Sequence, residues 1–151
     1  TWSAPVRMVA DALGVELDCI RETYEKRTTD KQLNVAMGVI EPGTVGAVRF
    51  ETIGVVNGRD AIIIEHVNRM AADMAPDWPT ADHPGTYRII IEGDPDITVE
   101  LKLGDAETYS DSGMTGTAMR IVNAIHAVCD ARPGLVTSLD LPLTIPRHAM
   151  V

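Results

Sequence analysis

From residue 33 the apolar positions take up a period of two, the pattern of a strand with one covered face, and two apolar runs follow on either side of Asn57-Gly58. Leu33, Val35, Met37 and Val39 share one face, and Glu41-Pro42-Gly43-Thr44 supplies the residues of a type II reversal. Residues 45–56 then return. Asn57-Gly58 fits the two positive-φ positions of a type I′ turn, so 45–56 and 59–66 are predicted to pair as a long hairpin. With 33–39 they would make an antiparallel meander. Positions 61–64 are apolar on both faces of the pleat, as in a covered central strand, and Glu65, His66, Asn68 and Arg69 follow at once. A polar cluster leaving a buried strand is where a site is expected.

The period changes to that of a helix at both ends of the chain. After Ser3-Ala4-Pro5, a start that can cap free N–H groups, Val6, Val9 and Leu13 form a stripe broadened by Met8 and Ala12, with Gly14 as the natural stop. Near the other end Met114, Ala118, Ile121, Ile125 and Val128 repeat at helical spacing. Asp111 or Ser112 would cap that helix, Val122 and Cys129 would widen its buried face, and Pro133-Gly134 would end it. Between the helices, residues 15–30 are heavily charged and suit an extended arm or exposed strand. Residues 70–86, with Pro76, Trp78, Pro79, Pro84 and Gly85, suit a long surface loop of the kind that often carries function. Residues 87–92 and 97–103 form a second strand pair, and 135–151 an extended tail. The class expected is α+β: a mostly antiparallel or mixed sheet of about four to six strands with helices packed on one face.

Composition narrows the function classes. A chain of 151 residues, 45% hydrophobic, is long enough for one domain with a proper core, so 1–151 is expected to be a single domain. With 13 Lys+Arg against 22 Asp+Glu, a net charge of −9 and no basic run, nucleic acid is not an expected partner. Aromatic residues make up only 4%, too few for a base-stacking platform. No window approaches the ~18 apolar residues of a membrane span, and no charged segment followed by an apolar core opens the chain, so a cytoplasmic protein off the membrane is expected. Cys19 and Cys129 are expected to be free, buried thiols. The first residue is Thr, which suits the tail of a longer chain.

Three stretches carry a resemblance: MVADALGVELDCIRETYE near the start, the hairpin EPGTVGAVRFETIGVVNGRDAIIIEH, and GMTGTAMRIVNAIHAVCDARPGLVTSLDLP. Together they resemble the C-terminal domain of dihydrodipicolinate-reductase-like oxidoreductases, and within these the 2,4-diaminopentanoate dehydrogenase-like, NAD(P)H-dependent amine dehydrogenases. The resemblance spans nearly the whole chain. It implies an N-terminal Rossmann domain that binds the nicotinamide and a C-terminal domain, this chain, that contacts an amino or imino substrate and joins subunits into a homo-oligomer, a dimer or tetramer. No Gly-x-Gly-x-x-Gly follows a strand here, so no cofactor is expected on this chain and no redox activity from it alone. The reductases' paired-histidine and lysine motif is also missing, and catalytic residues are therefore left unassigned.

The substrate-binding candidates fall in two places. His66 can shuttle a proton or bind a carboxylate, and Arg69 can grip an anion or pair with Glu65; a structural histidine and a surface ion pair are the plain alternatives. Glu65 and His66 point to opposite faces if the strand continues. Gly113-Met114-Thr115-Gly116-Thr117-Ala118 resembles the Ser-Gly-Thr-Ala turn by which the reductases hold a carboxylate at a helix N-terminus, which makes Thr115, Gly116 and Thr117 candidates. A helix start with small residues for close packing is the alternative. Asn123 and Arg120 would project from the same helix. His83, His126 and His148 are scattered, and no metal site is expected. Two functions remain open: the substrate-binding and oligomerisation part of a nicotinamide-dependent oxidoreductase, or a stand-alone ligand-binding or dimerisation module. Phe50, Ile53, Val55 and 62–64 exceed what two helices can cover, so association sheet against sheet is expected.

Overall fold

The computed structural model describes residues 2–144. The chain divides into two compact units, Thr1–Thr80 and Ala81–Val151. The first contains α1 (Ser3–Leu13), β1 (Cys19–Thr28), β2 (Leu33–Val35), β3 (Gly38–Ile40), β4 (Val45–Val56) and β5 (Arg59–Arg69). The second contains β6 (Thr86–Ile91), β7 (Ile97–Lys102) and α2 (Tyr109–Asp130).

The β4–β5 hairpin forms as its pattern requires, with Asn57 at φ 52° and Gly58 at φ 72° in the turn. Its third strand differs from expectation. β1, the charged segment, pairs antiparallel with β4 from Cys19 opposite Val55 to Thr28 opposite Val45, giving the order β1-β4-β5. β1 is an edge strand with little burial on either face, so it carries no apolar alternation to announce it. The segment 33–40, expected at that edge, folds on itself as the small β2–β3 hairpin. Among the described residues the strands thus form three antiparallel sheets, of three, two and two strands, in place of one larger sheet. The class is α+β.

Each face of the three-stranded sheet has its own cover. On one, Val6 and Ala10 of α1 bury against Ile62, with Val15, Leu17, Ile20 and Ile64 around them. Helix α1 comes close because β4 offers Gly54: a Cβ there would lie 2.7 Å from Val6 Cγ1. The buried line is therefore Val6 and Ala10, while Leu13 of the expected stripe is 66% exposed. Trp2, not Ser3, stands at the cap position, and Gly14 ends the helix at φ 66° as expected. On the other face the loop after β5 folds under the sheet, where Met74, Ala75 and Trp78 close a core with Leu33 and Ala47. Ile53, Val55 and Ile62, which were expected to need a second sheet, are buried within this unit.

In the second unit Tyr87, Ile89 and Ile91 stand opposite Leu101, Val99 and Ile97, so one face of the β6–β7 hairpin is apolar; Arg88 pairs with Glu100 on the other. Helix α2 starts at Tyr109, where Asp105 accepts hydrogen bonds from the N–H groups of Glu107 and Thr108. It has no buried residue, and Ile121, Ile125 and Val128 of its apolar stripe face outward. Cys129 is accordingly exposed, as is Cys19; both thiols are free, but neither is buried. The last part of the extended tail, with His148, lies outside the described residues.

Candidate functional site

The register of β1, β4 and β5 settles which polar residues share a surface. Tyr24, Phe50 and His66 lie in one row on the α1 side of the sheet. Trp2, entering α1, completes a cluster: its ring centroid lies 5.2 Å from Phe50, edge to face, and 5.5 Å from His66, while Phe50 and His66 are 5.0 Å apart. These distances suit favourable aromatic contacts. The imidazole is half-buried, packed by rings and free of any ion pair among the described residues. Beside it, Trp2, Glu22, Tyr24, Phe50 and Thr52 line an open cleft of about 290 Å³.

Glu65 belongs to the opposite face. There it accepts from Arg49 Nε at 2.6 Å, and the same guanidinium reaches Glu51 at 3.0 Å and Glu25 at 3.2 Å. The hydrogen bond with Glu65, together with the fields of Glu65, Glu51 and Glu25, raises Arg49 above its ordinary pKa against the opposing cost of burial. Glu65 and His66 therefore do not share a pocket, and Glu65 pairs with Arg49 rather than Arg69.

Arg69 is engaged by backbone. Its Nε donates to the carbonyl of Met74, and its Nη2 to those of Ala75, Trp78 and Pro79. The side chain thus gathers four carbonyls of the 70–80 loop around one guanidinium, which suits the fork geometry of Arg. Arg27 stacks 5.0 Å above the Trp78 ring and Lys31 pairs with Asp73, fixing the same loop from its outer side.

The third group sits within α2, not at its start. Thr115, Gly116 and Thr117 follow the first helical residue, Tyr109, by more than a turn, and Thr117 Oγ1 donates back to the Gly113 carbonyl. The free N–H groups of the helix start lie several residues earlier. Thr117 instead lines a cleft of about 520 Å³ with Tyr87, Leu103, Tyr109, Met114 and Ala118. Asn123 is exposed on the same helix, about two turns on. Among the described residues no group of three His, Cys, Asp or Glu side chains is arranged to hold a metal ion. No helix among them is long and apolar enough to cross a membrane.

The sequence pattern alone did not mark Trp2, Glu22 and Tyr24. Their signal is the period-two row through Tyr24, Phe50 and His66, which exists only once β1 is placed beside β4.

A protein-family profile described as the 2,4-diaminopentanoate dehydrogenase C-terminal domain matches residues 2–151. The chain belongs to that family. An amine dehydrogenase of Streptomyces virginiae is 44% identical over 146 residues, which cover 94% of this chain and 41% of the relative. A 2,4-diaminopentanoate dehydrogenase of Acetoanaerobium sticklandii is 30% identical over 146 residues, covering 96% of this chain and 37% of that protein. The chain spans about two fifths of the length of these curated relatives. The solved structure of an amine dehydrogenase from Mycobacterium smegmatis matches 97% of this chain and 40% of its own with a TM-score of 0.69 at 20% identity, a likeness of fold.

Proposed function

We propose that this chain is the substrate-binding and subunit-associating C-terminal part of an NAD(P)H-dependent oxidoreductase that acts on an amino or imino compound. The observation that carries the reading is the family match over residues 2–151, together with 44% identity to an amine dehydrogenase of which the chain spans 41%. The nicotinamide supplies or accepts the hydride when bound. No Gly-rich turn joins a strand to a helix in this sequence, so the residues here do not fit a dinucleotide, and in this reading a Rossmann domain elsewhere in the full protein holds it.

The part left to this chain is to bind and orient the substrate. His66 is the candidate best placed to contact it, because its ring stands in an aromatic cluster beside an open cleft. Glu65 and Arg69 are committed to protein partners and act in this reading by fixing the sheet and the 70–80 loop. Thr115, Gly116, Thr117 and Asn123 belong to an α2 whose apolar side needs cover, as does the Tyr87, Ile89 and Leu101 face of the hairpin. A homo-oligomer would supply it. The free thiols of Cys19 and Cys129 suit a reducing cytoplasm.

The test uses the full-length protein with a panel of amines and NAD+ or NADP+, following formation of the reduced nicotinamide. Turnover by the full protein, with none from residues 1–151 alone, is expected. Failure of every amine with both cofactors overturns the oxidoreductase reading, and turnover by 1–151 alone overturns the division of labour.

A further inference from the structure

The cleft beside His66 carries one carboxylate that the fold does not use. Of its two acidic residues, Glu51 accepts from Arg49 at 3.0 Å and from Thr23 Oγ1 at 2.9 Å. Glu22 has no hydrogen-bond or ion-pair partner among the described residues, although it stands in the middle of β1 opposite Thr52. Of the cations on its own strand, Arg21 points to the other face and holds both carboxylate oxygens of Asp60 at 2.6 Å, and Lys26 stands two rows further along.

Around Glu22 the walls are aromatic. Trp2 and Tyr24 are 39% and 65% exposed, far from the burial usual for such rings, with Phe50 behind them and the buried Thr52 as floor. Aromatic faces and a lone carboxylate attract the same kind of ligand. A cation over a ring gains from the ring quadrupole, and a carboxylate beside it supplies the counter-charge and a strong hydrogen-bond acceptor. An anion would meet Glu22 unfavourably, and a neutral apolar molecule would leave its charge unused. At about 290 Å³ the space lies at the small end of ligand clefts.

We propose that this cleft binds an organic ammonium group, with Glu22 as its counter-ion and Trp2 and Tyr24 as its aromatic walls, so that Glu22 selects cationic amines over neutral compounds of the same shape. The proposal deepens the functional reading above and rests on it only for the role of the bound amine in turnover. Glu22 lies in the same row as Ile64, one row from His66, so the ammonium would sit within about 5–8 Å of the imidazole row.

Calorimetric titration of the full-length protein without nicotinamide, using hexylammonium, 1-hexanol and hexanoate, tests this directly. Hexylammonium should bind saturably and more tightly than the other two, and Glu22→Gln should weaken it about fivefold while leaving 1-hexanol unchanged. Tyr24→Leu should weaken hexylammonium as well. Because Glu22→Gln is isosteric at an exposed position, an unchanged thermal midpoint shows that the fold is intact. Equal affinity for hexylammonium and 1-hexanol, no saturation, or hexylammonium affinity unaffected by Glu22→Gln overturns the proposal. Oxidation of amines with a KM unmoved by Glu22→Gln would sink the cleft and spare the oxidoreductase reading. Ammonium-selective binding in a protein that oxidises no amine would do the reverse.

Discussion

Arg49 Nε donates to Glu65 Oε1 at 2.6 Å, and through that bond one guanidinium neutralises a row in which Glu51 and Glu65 stand directly opposite each other on neighbouring strands. Like charges at such a position repel across the strand pair. Arg49→Met should therefore cost about 1–2 kcal/mol, more than the loss of an exposed ion pair, because Glu51 and Glu65 are left side by side. Urea denaturation measures it. Adding Glu65→Gln to Arg49→Met should recover part of the loss; a double variant no more stable than Arg49→Met would show that repulsion is not the cause.

Arg69 tests the loop in the same way. It binds the carbonyls of Met74, Ala75, Trp78 and Pro79, and Trp78 is only 3% exposed. Arg69→Met keeps the stem but leaves those acceptors without their donor, a cost of about 2–3 kcal/mol. Trp78 emission should move to the red as the indole meets water, and acrylamide quenching of the native protein should rise. An unshifted spectrum would mean that the core of Leu33, Ala47 and Met74 holds the loop without the arginine.

Acid should loosen the start of α2. Asp105 lies below the ordinary carboxylate range, chiefly through the Thr108 hydroxyl and the N–H groups of Thr108 and Glu107. A carboxylate depressed in the folded state adds stability above its unfolded pKa, and that stability fades as pH falls through the lower, folded value. Amide exchange at Glu107 and Thr108, taken relative to the rate of an unstructured chain at each pH, should accelerate as the solution is acidified below about pH 4. In Asp105→Asn it should be faster at neutral pH and lose that acid dependence. An unchanged pH profile in the variant would assign the dependence to other carboxylates, such as Asp73 beside Lys31 or Asp140 beside Thr137.

The sequence disclosed the parts of this fold in which side-chain pattern and local backbone agree. Asn57-Gly58 between two apolar arms allowed one turn, and Gly14 after the first helical stripe marked its end. The 15–30 segment was legible as an exposed strand or arm, but the partner of β1 was hidden for the opposite reason. An edge strand whose faces carry Arg21, Glu22, Glu25 and Lys26 has no apolar period, so its pairing with β4 is decided by backbone hydrogen bonds that no residue pattern records. With β1 unplaced, the row of Tyr24, Phe50 and His66 stayed invisible, and so did the cleft. His66 was legible as a candidate, but its neighbours were not. In α2 the stripe was legible and its burial was not, because a helical period shows which side needs cover without showing what covers it.

Two glycines on β4 meet very different neighbours, and that difference predicts opposite outcomes for the same substitution. A Cβ at Gly54 would lie 2.7 Å from Val6 Cγ1 and 2.9 Å from Leu17 Cδ2, and Val6, fully buried and β-branched, has no second rotamer to offer. A Cβ at Gly46 would also come within 2.7 Å, but of the Sδ of Met74, the far end of a flexible side chain that can swing aside. Gly54→Ala should push α1 off the sheet and cost about 1–3 kcal/mol, while Gly46→Ala should cost less than about 1 kcal/mol. Pairing Gly54→Ala with Val6→Ala separates steric conflict from strand propensity. If the methyl groups collide, the double variant should be destabilised by less than the sum of the two single changes, since Val6→Ala opens the space that the methyl group added by Gly54→Ala fills. Additive losses in urea denaturation would place the cost of Gly54→Ala in the β4 backbone near the register shift at Gly54 and Val55, not in the packing of α1.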